Sequence, residues 1–264
     1  MKDYLKPITE GLFGKQKPYA LQEKAKPPVV RPVSMILEDI CTFDDAQWVT
    51  YAFSREPLNG RFDDTMRQDF MAKALACGRE AAEQCIEKYG TNDPTELARK
   101  LELAIDYPDM PQSTARVVFA EFQDPNKIFI YMDGVRKGNA LLGESEVRKL
   151  LGGIFIHHLL LAHEIFHFVE KQQEQEIWTK TFKVDLWSIK PFKNRSRVAT
   201  LSEIAAMGFT QRMLELPYLP YVMDAFLVYG YSPQAASALY EEMMRFAGRE
   251  ARLPDLGDPI GLDE

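Results

Sequence analysis

His163, Glu164, Ile165, Phe166 and His167 set two imidazoles four residues apart, with a carboxylate directly after the first. On a helix, that spacing stacks the two rings on one face, with Cβ atoms about 5–6 Å apart, so two nitrogens can share one metal ion. Glu164 is turned by about 100° from His163, where its carboxylate reaches a metal-activated water instead of the metal itself. The pattern predicts a hydrolytic centre with two histidine ligands and a general base that takes a proton from water and returns it to a leaving amine. Zinc is the ion these ligand types favour, and manganese or iron accept the same set.

A catalytic zinc needs three protein ligands and one open position. The third candidate is Glu203, in Leu201-Ser202-Glu203-Ile204-Ala205-Ala206-Met207, 36 positions after His167. On a second helix Glu203 shares a face with Ala206, a small residue that permits close approach to the first helix. Thr200-Leu201-Ser202-Glu203 also fits a capping box, in which Glu203 serves only its own helix N-terminus. His157 and His158 stand six and five residues before His163, spacings that do not stack on the ligand face, and are read as structural. Peptide hydrolysis also calls for an oxyanion donor. Tyr218, Tyr221, Tyr229 and Tyr231 follow the Glu203 segment; Tyr218 and Tyr221 are kept as candidates, against packing as the ordinary role of such tyrosines.

These residues need helices to hold them. The apolar run Ile154–Ala162 leads into the motif within a helix expected from Ser145 or Gly153 to Gln173. A helix over Leu201–Leu216 carries Glu203 and is stopped by Pro217. A long helix is expected over Asp64–Tyr89, ended by Gly90, and a short one follows from the cap Asp93 and Pro94. Arg116–Phe122 and Lys127–Met132, separated by Asp124, Pro125 and Asn126, read as a β-hairpin closed by Asp133 and Gly134, with a polar loop after it. The stretch 174–199 reads as a polar, aromatic-containing connection in which Trp178, Phe182, Trp187 and Phe192 suggest packing down on the domain. There Lys190, Lys193, Arg195 and Arg197 form a basic run suited to solvent or to an acidic partner. Ser232 and Pro233 start a last helix that runs through Met244.

Composition limits what surrounds this core. Hydrophobic residues at 46% and charged ones at 27% suit a folded domain and exclude wholesale disorder. A net charge of -7 argues against a protein that coats nucleic acid, so no direct nucleic-acid binding is expected. No secretory leader and no membrane span are read, and Cys41, Cys77 and Cys85, odd in number and without a CxxC pair, fit reduced structural thiols; a cytoplasmic location is expected. The expected organisation is an extended proline-rich arm over residues 1–33, a metal-bearing domain over 34–250 with its motifs at about 65–217, and an acidic tail over 251–264.

The string Ala162-His163-Glu164-Ile165-Phe166-His167-Phe168, the downstream Glu203-Ile204-Ala205-Ala206 followed by Met213-Leu214 and Pro217, and the upstream Asp93-Pro94-Thr95-Glu96-Leu97-Ala98 resemble the ImmA/IrrE-type zinc metallopeptidases over about residues 65–217. Met207 stands where that family usually has asparagine, the 174–199 connection is long, and no helix-turn-helix module is read in this sequence. The resemblance implies a gluzincin-like fold and limited proteolysis of protein partners, often transcriptional repressors. The expected fold class is α+β, helix-rich, with a small antiparallel sheet beside the His163–His167 helix. The expected activity is a zinc-dependent endopeptidase acting on a protein or peptide, the alternative being a zinc-binding module without turnover. The sequence leaves the oligomeric state open.

Overall fold

A computed structural model of the chain describes residues 29–111, 117–189 and 192–254. Three helices form its centre: α3 (Asp64–Tyr89), α7 (Ile156–Gln172) and α9 (Thr200–Met213). Asp63 starts α3 by accepting from the Met66 amide at 2.8 Å, and Gly90 ends it with φ 66°, a left-handed conformation that glycine adopts without cost. The next helix, α4 (Pro94–Lys100), has Asp93 accepting from the Glu96 amide and proline in its first turn, as the sequence predicts. Along α7, Leu159, Leu160, Leu161, Ile165 and Phe166 are all buried, each worth about 1.5–3 kcal/mol of transfer free energy.

The stretch from Ser145 to Gln173, where the helix is expected to start at Ser145 or at Gly153, holds two helices. Gly152 and Gly153, at φ 71° and 70°, break it between α6 (Ser145–Leu150) and α7. Left-handed backbone at both positions ends the i→i−4 ladder. The polar loop expected after Gly134 is instead α5 (Met132–Leu141), so Asp133 and Gly134 begin a helix, and the buried Asp133 accepts from Lys137 and Tyr231.

The expected hairpin is present as β2 (Ala120–Gln123) antiparallel to β3 (Lys127–Ile130). A third strand, β1 (Ala104–Asp106), pairs with β3 in parallel, so the sheet runs β1-β3-β2 and is mixed, not antiparallel throughout. Residue 116, the first of the expected hairpin, lies outside the described residues. In the connection after residue 174, the described residues carry α8 (Trp178–Thr181) and an antiparallel pair of strands, β4 (Val184–Ile189) and β5 (Phe192–Ser196). Trp178 stacks on Phe182 at 4.9 Å, and Phe182 meets Phe70 of α3 edge-on. Arg195 pairs with Asp185, while Lys190 and the side chains of Trp187, Phe192 and Lys193 lie outside the described residues.

Besides α5 and α8, three further helices are not expected from the sequence: α1 (Val33–Ile40), α2 (Val49–Phe53) and α10 (Val222–Tyr229). α2 packs against α3 and α9, and α1 packs against α10; with Trp48 just before α2, they bury Ile36, Leu37, Phe53 and Phe226. The last helix, α11 (Pro233–Phe246), is capped by Ser232. Residues 1–28 of the expected arm and 255–264 of the expected tail lie outside the described residues. The flanks beside them are packed, since Arg31 is buried, donates to the Arg252 carbonyl and pairs with Glu241 of α11 at 2.7 Å. Among the described residues no helix is long and apolar enough to cross a membrane.

Candidate metal centre

The four-residue spacing on α7 does what helical geometry requires: the rings of His163 and His167 lie 5.0 Å apart and their Nε2 atoms face each other at 3.3 Å. Helix α9 brings Glu203 to the same point, with Oε2 3.3 Å from Nε2 of His163 and 3.7 Å from Nε2 of His167. The capping-box use of Glu203 is not realised. Ala199 occupies the N-cap without a side-chain bond, and the Thr200 amide donates to Oε2 of the buried Glu56 at 3.0 Å, while the Thr200 hydroxyl donates to the Ala52 carbonyl. A carboxylate 144 positions away therefore anchors the start of α9 and leaves Glu203 to the site. Close contact between α9 and α3 sets the height of that helix: Gly78 and Gly208 lie where a Cβ would run into the facing backbone.

His163, His167 and Glu203 are, among the described residues, the one cluster of three potential ligands whose donor atoms all lie within 4.8 Å of one another. Oε2 of Glu203 is buried and receives no hydrogen bond, although its neighbours are two imidazole nitrogens. A cation satisfies all three groups at once. Zinc bonds of about 2.0–2.1 Å at tetrahedral angles separate ligand atoms by about 3.3 Å. The observed separations of 3.3, 3.3 and 3.7 Å lie at or close to that value. The donor set and its spacing fit zinc.

Glu164 is buried beside this cluster, and its Oε2 accepts from the backbone N–H of Phe122 in β2 at 2.7 Å. Burial pushes its pKa up, opposed by His163 and His167, so the carboxyl takes a proton more readily than one in water. At His167, burial favours the neutral ring, but Glu203 and then Glu170 outweigh it and raise the pKa well above the usual value. Glu203 is pulled the opposite way: burial would raise it, and the two histidines hold it far below the ordinary carboxylate range.

Four residues that the sequence alone does not assign to the site join it. Glu170, one turn beyond His167, is buried and accepts from Ser202 (2.6 Å), Lys180 (2.6 Å) and Thr179 (2.5 Å). Burial would raise its pKa, but His167, Lys180 and Ser202 hold it at about 2. Its i+3 spacing from His167 was a legible signal, since such residues share a helix face. Ser202, Lys180 and Thr179 carried none, because their roles arise only when α8 and α9 meet α7.

The two candidate oxyanion donors are placed differently. The Tyr218 hydroxyl is buried and donates to the Leu151 carbonyl at 3.0 Å, away from the ligand cluster. Tyr221 is also buried, with its ring against Trp48 and Tyr51 on the side of Asp224, and burial followed by Asp224 and Glu203 raises its pKa. His158 faces Thr95 and Asp93 at the other end of α7, with His157 beside it, so neither belongs to the cluster. Compared with models of protein families, with curated proteins and with solved structures, the chain finds no match.

Proposed function

We propose that the protein is a zinc-dependent endopeptidase with a gluzincin-like centre, kin to the ImmA/IrrE-type metallopeptidases, that cuts a protein or peptide partner in the cytoplasm. The observation that carries this reading is the convergence of His163, His167 and Glu203 around one point, with a buried carboxylate next to it. A purely structural zinc site closes its fourth position with a protein ligand, and three ligands beside a potential base favour chemistry. Zinc, when bound by these three residues, supplies a Lewis acid that polarises a peptide carbonyl and lowers the pKa of water.

The chain's own groups do the remaining work. The Phe122 N–H ties down Oε2 of Glu164, so Oε1 is the oxygen positioned to receive a proton from the attacking water and to return it to the leaving amine. Burial of Glu164 raises its affinity for that proton, which favours transfer near neutral pH. His163, His167 and Glu203 would hold the ion, and the partly exposed side chains of His167 and Glu203 mark the side from which a substrate would enter.

The deciding experiment pairs elemental analysis with proteolysis of casein and of a peptide library by wild type and Glu164→Gln. About one zinc per chain in both proteins, with cleavage lost by a factor of 10² or more only in the variant, supports a peptidase. Zinc in both with cleavage in neither supports a metal-binding module, and a metal-free wild type that takes up no added zinc ends the reading.

A further inference from the structure

We propose that Glu170 is a positioning residue which, through the hydroxyl of Ser202, fixes the tautomer and orientation of the ligand His167; the inference rests on the metal-centre reading above. Glu170 Oε2 lies 2.6 Å from the Lys180 ammonium and 2.6 Å from Ser202 Oγ, and Oε1 accepts from Thr179. A carboxylate paired with an ammonium only accepts, so the single hydroxyl hydrogen of Ser202 points at Glu170. Ser202 Oγ then has lone pairs alone to offer His167 Nδ1, which lies 3.4 Å away. Nδ1 must carry the hydrogen of the neutral ring. Nε2 is left with its lone pair directed at Nε2 of His163 and Oε2 of Glu203. That is the tautomer a metal ligand needs, and the other ring nitrogen of such a ligand is ordinarily held by a hydrogen-bonded partner.

The serine is the necessary link, because the carboxylate itself stands 3.9 Å from Nδ1, beyond hydrogen-bond range. Three elements meet at this one carboxylate: α7 supplies Glu170, α8 supplies Thr179 and Lys180, and α9 supplies Ser202 beside the ligand Glu203. Lys180 makes it tolerable to bury the charge, since Glu170 is only 1% exposed.

The test is titration of the metal-free full chain with cobalt(II) alone, reading affinity by chelator competition and ligand geometry from the visible d–d bands. The proteins compared are wild type, Ser202→Ala, Ser202→Thr, Glu170→Gln and His167→Ala. Wild type should bind one cobalt per chain and His167→Ala none. Ser202→Ala and Glu170→Gln should bind 10–100-fold more weakly with shifted bands, and Ser202→Thr, which restores the hydroxyl, should return to near wild type. Wild-type affinity and spectrum in Ser202→Ala would overturn the positioning role while leaving the metal centre standing. No cobalt uptake by wild type would overturn both. Should Glu170→Gln fail to fold, Ser202→Ala decides alone, since it keeps the Glu170–Lys180 pair.

Discussion

Gly78 sits inside α3, far from any ligand in sequence, yet its replacement by alanine should damage the metal centre. A Cβ there would lie 1.8 Å from the Ala205 carbonyl oxygen, 2.7 Å from its carbon and 2.9 Å from the Phe209 nitrogen, all backbone atoms of α9. Ordinary carbon–oxygen contact begins near about 3.3 Å, so α9 must retreat by about 1.5 Å at Ala205, two residues from Glu203. Alanine in a helix interior normally gains about 1 kcal/mol over glycine, but forcing a methyl into a closed backbone contact costs about 1–3 kcal/mol or more, and a clash this deep lies at the upper end. The net expectation is a loss of about 2 kcal/mol, a fall of about 4 °C or more in melting temperature. The same retreat separates Glu203 from the two histidines, whose present distances of 3.3 and 3.7 Å already match a bound zinc. Zinc affinity, measured by competition with a chelating dye, should fall at least about tenfold. Gly60→Ala is the control, because a Cβ there meets nothing within 4 Å, and it should change stability by less than about 0.5 kcal/mol. A Gly78→Ala protein that melts and binds zinc like wild type would refute the reasoning; one that melts early but binds normally would refute only the link between helix spacing and the site.

Asp224 is buried with Tyr51 donating to it at 2.6 Å, and burial, opposed by Arg55 and Tyr51, lifts its pKa from 3.8 to about 7. A raised acid favours the folded state when neutral, so this contribution is complete below pH 3.8 and is lost as pH rises through about 7, by at most about 4 kcal/mol. Asp224→Asn should flatten that decline in denaturant titrations between pH 4 and 8, whereas parallel profiles would show that Asp224 ionises as freely as in the unfolded chain. Tyr218→Phe should cost about 1 kcal/mol, the worth of its bond to Leu151, with hydrolysis unchanged; a loss of 10² in turnover would return Tyr218 to the chemistry. Glu56→Gln should lower stability by about 1–2 kcal/mol, because its two oxygens accept from the Thr200 and Leu58 amides and an amide keeps only one acceptor oxygen; an unchanged unfolding midpoint would show that α9 needs no such anchor.

The parts of the site that were legible in the sequence are those written within one helical turn. His163 and His167 declare a shared face through spacing alone, with Glu164 turned beside it, and Glu170 extends that face by one step of the same period. Asp63, Gly90, Asp93 and Ser232 mark helix ends because capping is chemistry between neighbours. Glu203 was legible only as a residue with two possible uses, and the choice between them is made by Glu56, whose carboxylate takes over the start of α9. Strand β1 was missed because a three-residue strand carries almost no periodic signal and its partner β3 lies more than twenty positions later. The break at Gly152 and Gly153, the tight crossing at Gly78, and the meeting of Lys180, Thr179 and Ser202 on Glu170 were likewise settled by tertiary structure. Helical periodicity constrains residues that share a backbone turn, whereas the third candidate ligand, the serine behind His167 and the spacing of α3 from α9 depend on atoms brought together by packing across 30 to 140 positions, which no local pattern encodes.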